Sequence, residues 1–292
     1  MSIVSDNIRN PQPGAAVAVR VPTQIIQPTR GWGSLGLRDI WDFRELLYLL
    51  TWREVKGGYR QMAFGPLWMI VSPLIQMVIF SMLFGVVFKL PSDGVPYPVF
   101  TYVALLPWLL FASAARSAAG SLVSQQQLIA KVYFPRLIIP VSQVVSALVD
   151  FATSFVILLG MMLVYRIVPG WRVLVLPAYL LLAIVTALAV GLWLATVAVK
   201  FRDVLIVLGF VISAAQYATP VAYSASLIPA KWQWLYNLNP MTVVVEGFRW
   251  SLLGTGRGPM PADLLVAGTM VLLMITGAYY FRRTERTIVD TL

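Results

Sequence analysis

The chain has 292 residues, of which 59% are hydrophobic and 12% charged, with a net charge of +10, no Cys and no His. Soluble domains carry about 25% charged residues, so this composition, with a mean hydropathy of +0.79, belongs to a membrane protein. Thiol nucleophiles, disulfides, histidine acid–base chemistry and His/Cys metal sites are excluded; because no Lys follows a Gly, so is the GxxxxGK[ST] phosphate loop of an ATPase.

Residues 1–34 are rich in Pro, Gly, Gln and Asn and hold no apolar run long enough for a signal peptide. They are expected to form a disordered cytoplasmic tail. Residues 35–58 predict an amphipathic interface helix. Ile40, Phe43, Leu47 and Leu50 recur on one face and Arg38, Asp42 and Glu45 on another. Trp41, Tyr48 and Trp52 suit the headgroup plane. Gly57 and Gly58 are expected to end this helix.

Residues 59–292 predict a six-helix transmembrane domain, leaving no room for a separate soluble catalytic domain. No charge falls between Arg60 and Lys89, Asp93 and Arg116, Arg172 and Lys200, Asp203 and Lys231, or Asp263 and Arg282; Asp150 alone interrupts 137–165. About 20 apolar residues cross the ~30 Å hydrocarbon core. Lipid offers the backbone no hydrogen bonds, which selects helices. Spans are expected at about 63–88 (with Pro66 and Pro73 inside), 97–115, after Pro140, 173–199, from Val204, and in the last uncharged run.

Residues 223–258 are too apolar for an ordinary loop. Two short helices, 229–237 and 240–253, are expected, with Asn239 capping, Pro240 opening the second and Gly254 ending it. A helix of about 14 residues is about 21 Å long, too short to cross. The prediction is a re-entrant outer hairpin between helices 5 and 6 that lines a pathway, since irregular backbone at that depth needs protein or water beside it. The expected fold is thus an all-α membrane protein: six transmembrane helices, an N-terminal interface helix and this hairpin. With the N-terminus inside, 16 of the 22 Lys and Arg fall on the cytoplasmic side. The basicity therefore reports topology, with both termini cytoplasmic, rather than nucleic-acid binding.

Five strings, in this order and spacing, carry a family resemblance: TWREVKGGYRQMAFGPLWMIVSPL (51–74), KVYFPRLIIPVS (131–142), KFRDV (200–204), NPMTVVVEGFRWSLL (239–253) and YYFRRTERTIVDTL (279–292). Over 37–292 the chain resembles the permease subunit of ABC-2-type polysaccharide exporters. The O-antigen branch fits first, with teichoic acid and capsule exporters beside it. The N-terminal tail is longer than the family's. The resemblance implies a homodimer in the bacterial inner membrane, working with two copies of a separate ATP-binding subunit. That subunit carries ATP and Mg, and this chain carries no cofactor. The cargo implied is a polyprenyl-diphosphate-linked glycan.

Arg53, Lys56 and Arg60 are candidates for holding the lipid diphosphate, or serve as positive-inside anchors. Aromatic rings give sugars weak, repeated contacts. From Trp68, Phe80, Phe84, Phe100, Tyr102, Trp108, Phe111, Tyr217 and Tyr223, the candidates for a channel at the dimer interface are Phe84, Tyr102, Phe111, Tyr217 and Tyr223. An interfacial belt is the alternative for about half of the nine, Trp68 among them. Trp232, Trp234, Tyr236 and Trp250 are candidates for an outer gate, or seat the hairpin in headgroups. Asp150 serves either a channel or proton site or a helix–helix hydrogen bond to Thr153, Ser154 or Gln76. Glu246 and Arg249 are spaced to pair, for a few tenths of a kcal/mol if exposed. ATPase coupling is expected at Asp39, Asp42 and Glu45 and at Gln126, Lys131 and Arg136. Two other classes stay open: an ABC-2 permease for a small hydrophobic drug or lipid, and a secondary transporter or intramembrane enzyme. The latter calls for several buried ionisable groups.

Overall fold

The computed structural model describes residues 41–59, 65–131 and 134–291. Helix is the only regular structure among them. In order they are α1 (Arg44–Tyr59), α2 (Trp68–Phe80), α3 (Tyr97–Ser124), α4 (Gln126–Lys131), α5 (Ile138–Val164), α6 (Leu176–Lys200), α7 (Val204–Ala218), α8 (Ala230–Leu238), α9 (Pro240–Leu252) and α10 (Pro261–Thr291). The axis of α2 continues as a π-helix over Ser81–Val87.

Five helical segments are long and apolar enough to cross a membrane, at Trp68–Val87, Tyr97–Ser124, Ile138–Val164, Trp171–Lys200 and Pro261–Thr284. The protein is a multi-pass membrane protein. The fifth expected span is shorter than the sequence suggested: α7 has 15 residues, about 22 Å of helix. Thr219 ends it in an extended conformation (φ −95°, ψ 141°), because the ring of Pro220 disfavours helical backbone in the residue before it.

The centre of the bundle is α3, which packs against α2, α5, α6, α7 and α9. Its Ala114, Ala115, Ala118 and Ala119 are fully buried, as are Ala183, Ala187 and Ala195 of α6. Small residues let two helix backbones approach closely where lipid supplies no hydrophobic drive between them. At Gly191 a Cβ would lie 2.6 Å from the Cβ of Ala118, so this crossing depends on glycine. On its other side α6 holds α10. There Trp193 stacks on Tyr280 at 5.0 Å, and its Nε1 donates to the Leu273 carbonyl at 3.0 Å.

Two expectations are corrected. The second span runs nine residues past its expected end, to Ser124, so Arg116 and Ser117 lie within its helix. Gly57 and Gly58 do not stop α1, which continues to Tyr59; a helical Gly costs about 1 kcal/mol against Ala, and packing of α1 on α5 outweighs it. The second helix of the expected hairpin, α9, is buried within the bundle. Residues 241–249 are all buried, α9 packs between α3 and α6, and a Cβ at Gly247 would sit 2.3 Å from the Tyr179 ring. Of the hairpin's two helices, α8 is the exposed one, through Trp232, Trp234, Leu235 and Leu238.

The α9 start is as the sequence predicts. Asn239 Oδ1 accepts from Met241 N at 3.0 Å, Pro240 opens the helix, and Gly254 follows its end with φ +73°.

Candidate substrate path

Gln76 and Phe80 of α2 and Phe84 of the π-helix that continues it recur at four-residue spacing, which brings them to one side of this span. That side meets α7. Phe80 lies 5.8 Å from Phe84, edge to face, and 6.2 Å from Tyr217, while Phe88 extends the series 5.9 Å beyond Phe84. The result is an aromatic ladder running toward the hairpin end. Its last rungs are exposed: Tyr217 at 61% and Phe88 at 59%. The π-helical turns around Phe84 bring Gly85 against the Tyr97 ring, where a Cβ would come within 2.7 Å. Tyr97 in turn donates to the Ala222 carbonyl at 2.5 Å.

Toward the α1 end the cleft becomes polar. A cavity of about 270 Å³ lies between α2, α3 and α7, and its lining includes Gln76, Ser113, Arg116, Ser117, Ser213 and Gln216. Ser113, Arg116 and Ser117 share one face of α3 at i, i+3 and i+4. A smaller cavity of about 210 Å³ between α2, α3 and α5 shares Leu109 and Ser113 with it and holds Ser72, Asp150 and Ser154. Asp150 and Ser154, one turn apart on α5, line this cavity together, whereas Gln76 lines the other, and Thr153 donates to its own helix at Val149 O.

At the hairpin end a buried polar node fastens the segment after α7. Arg249 is fully buried. It pairs with Glu246 at 3.0 Å and donates to the carbonyls of Tyr223 (3.1 Å) and Val221 (2.9 Å). Its guanidinium lies 3.8 Å from the centroid of the Phe100 ring. The pair that the spacing suggested is thus formed, and it is buried. Glu246 also accepts from Arg257 N at 3.1 Å, and Arg257 pairs with Asp263. Asn239 Nδ2 reaches Thr219 Oγ1 at 3.1 Å and Ser224 donates to Asp93 at 2.7 Å. Tyr223 joins ladder and hairpin: its hydroxyl donates to Tyr217 O at 3.2 Å and shares a 3.3 Å hydrogen bond with the Tyr236 hydroxyl.

The family model described as ABC-2 type transporter matches residues 45–253. The chain belongs to the ABC-2 type transporter family. It is 30% identical over 254 residues to the O-antigen export system permease protein RfbA of Myxococcus xanthus, covering 85% of this chain and 96% of that one. The protein of the same name from Klebsiella pneumoniae is 28% identical over 70% of this chain and 79% of its own. The polysialic acid transport protein KpsM of Escherichia coli is 25% identical over 82% and 93%.

In this ABC-2 transporter the remaining candidates scatter. Tyr102 is fully buried inside the protomer, its hydroxyl 3.4 Å from Ser154 O, and Phe111 packs on Trp108 at 5.5 Å in the same core. Phe84, Tyr217 and Tyr223 are brought together, and Tyr236 joins them. Trp232 and Trp234 are exposed on α8. Trp250 sits elsewhere, 6.1 Å from Trp171 and 5.2 Å from the Arg172 guanidinium. Arg53 donates to Gln125 Oε1 at 2.6 Å, and Lys56 Nζ lies 5.1 Å from the Trp52 ring. Arg60 and Asp39 lie outside the described residues. Asp42, Glu45 and Lys131 are exposed and Gln126 and Arg136 partly so. An apolar cluster of Phe43, Leu46, Ile129, Phe134 and Phe281 gathers α1, α4 and α10 at that end.

Sequence reasoning missed the polar cavity. Its signal was present: the Ser113/Arg116/Ser117 triplet and the Ser213/Gln216 pair are polar faces on otherwise apolar helices. Ending the second span at 115 hid the triplet.

Proposed function

We propose that two copies of this chain form the membrane path of an ATP-driven exporter for a polyprenyl-diphosphate-linked polysaccharide, an O-antigen first among such glycans. The observation that carries this is the alignment with the Myxococcus O-antigen export permease over 96% of that protein. The α2–α7 cleft adds physical support. A sugar polymer must be held weakly and released at every unit, and a row of aromatic faces does this without a tight hydrogen-bond trap.

In this reading the chain crosses the inner membrane six times with both termini cytoplasmic, α7 and the extended 219–223 segment together making the fifth crossing. The ladder of Phe84, Tyr217 and Tyr223 faces its counterpart across the homodimer. Tyr236, with Trp232 and Trp234 on the same short helix, closes the outer end of the 223–258 hairpin, while Trp250 packs apart from them on Trp171. Arg53, Lys56 and Arg60 receive the lipid diphosphate at headgroup depth, where each cation contributes about 1 kcal/mol. A separate subunit, present in two copies, binds ATP and Mg. It engages the α1 end through Asp39, Asp42, Glu45, Gln126, Lys131 and Arg136, so the permease itself does no chemistry.

Reconstitution with the ATP-binding subunit in proteoliposomes tests this. Polyprenyl-diphosphate glycans should stimulate ATP hydrolysis and appear in the lumen. Stimulation by small hydrophobic drugs but not by glycans would replace this reading with that of a drug or lipid permease.

A further inference from the structure

The polar cavity asks for an occupant that the protein does not supply. Among the described residues, Gln76, Ser113, Arg116 and Ser117 have no side-chain partner, and Gln216 Nε2 is buried without one. Polar groups within spanning helices are costly unless they meet water, protein or a polar ligand. Gln216 Nε2 is the buried member of the set, while Ser113, Arg116 and Ser117 are exposed and Gln76 half-buried, so five polar groups on three helices line one accessible cavity that a polar ligand can satisfy. Ser213 is the exception, its hydroxyl being spent on Gly209 O at 2.9 Å.

The lining chooses the partner's charge. It offers a guanidinium, two carboxamides and hydroxyls, and it contains no carboxylate. Arg116 is exposed and forms no ion pair with any described residue. The nearest carboxylate in the lining of an adjoining cavity is Asp150. Depth chooses the partner's kind. Arg116 lies about 28 Å along α3 from Tyr97, close to the full hydrocarbon thickness of ~30 Å, where phosphates sit. It is also about 13 Å along the chain axis from Gln125, the residue that holds Arg53.

We propose that this cavity binds a phosphoryl anion, with Arg116 as its charged donor and Gln76 and Gln216 completing the cradle. The inference rests on the exporter reading and deepens it. A diphosphate first met near Arg53 moves to Arg116, which sets the attached glycan at the foot of the aromatic ladder. Arginine offers a planar fork matched to phosphate oxygens.

Native mass spectrometry of the full-length chain tests the site, with three probes: a sugar-free polyprenyl diphosphate, the corresponding polyprenol, and inorganic diphosphate. The lipid diphosphate should bind and the polyprenol should not. Arg116→Gln should weaken binding about ten-fold or more, Arg116→Lys should retain most of it, and Gln216→Leu on a different helix should weaken it too. Binding of inorganic diphosphate with the same dependence on Arg116, without the lipid, upholds the anion site and assigns it to a soluble source. Unchanged affinity in both Arg116→Gln and Gln216→Leu, or polyprenol binding as well as the diphosphate, overturns the proposal. Loss of this site alone is distinguishable from failure of the exporter reading: in the first case reconstituted glycan export persists, in the second it never appears.

Discussion

At the level of single residues, Arg249 shows how burial changes the worth of a pair. On an exposed helix the Glu246–Arg249 spacing contributes a few tenths of a kcal/mol. Here both partners are sealed among α3, α9 and the 219–224 segment, so removing one leaves an uncompensated charge, at about 3–5 kcal/mol. Glu246→Gln and Arg249→Met should each lower the melting temperature in detergent sharply. The double variant Glu246→Leu/Arg249→Met should melt above either single one; equal or worse behaviour would mean the carbonyl contacts of Arg249, not the pair, dominate. Gly247 is a second such position. A methyl there meets the buried Tyr179 ring, and overpacking of that kind costs about 1–3 kcal/mol. Gly247→Ala should therefore destabilise, with partial recovery when combined with Tyr179→Leu.

At the level of elements, the α2–α7 cleft separates transport from stability. Tyr217 is exposed while Phe80 is buried at 7%. Tyr217→Ala should leave thermal stability nearly unchanged yet slow glycan export in the reconstituted system. Phe80→Ala should reduce both, since truncating a buried Phe costs about 3–5 kcal/mol in stability. Leu272→Ala, on the exposed face of α10, should change neither. Equal export by Tyr217→Ala and Leu272→Ala would remove the ladder from the path.

At the level of the whole molecule, the exposed apolar faces need either lipid or a second protomer. Ile79, Val86 and Val87 of the first span and Tyr217 of α7 are exposed on the protomer, and the proposed dimer covers that side. The chain has no Cys, so single cysteines report without background. A cysteine at Ile79 or Tyr217 should give bismaleimide-linked dimers in membranes, and one at Leu272 should not. Efficient linkage at Leu272 with none at Ile79 or Tyr217 would place the interface on α10 instead.

The chain's charge spacing alone was enough to declare helices across a bilayer, because hydrocarbon tolerates neither charge nor unpaired backbone over ~30 Å. The cap at Asn239–Pro240 and the stop at Gly254 were equally legible, since these depend on local backbone chemistry. Which side of a helix each residue faces was not local. Tyr102 and Tyr217 look alike in the sequence, yet one is sealed in the core and the other open, because spanning helices are apolar all round and their periodicity marks no inner face. Only the packing around α3 decided that α9 would be buried and that Arg116 would open into a cavity between three helices. Contacts between residues a hundred positions apart set these outcomes, and no window of sequence contains them.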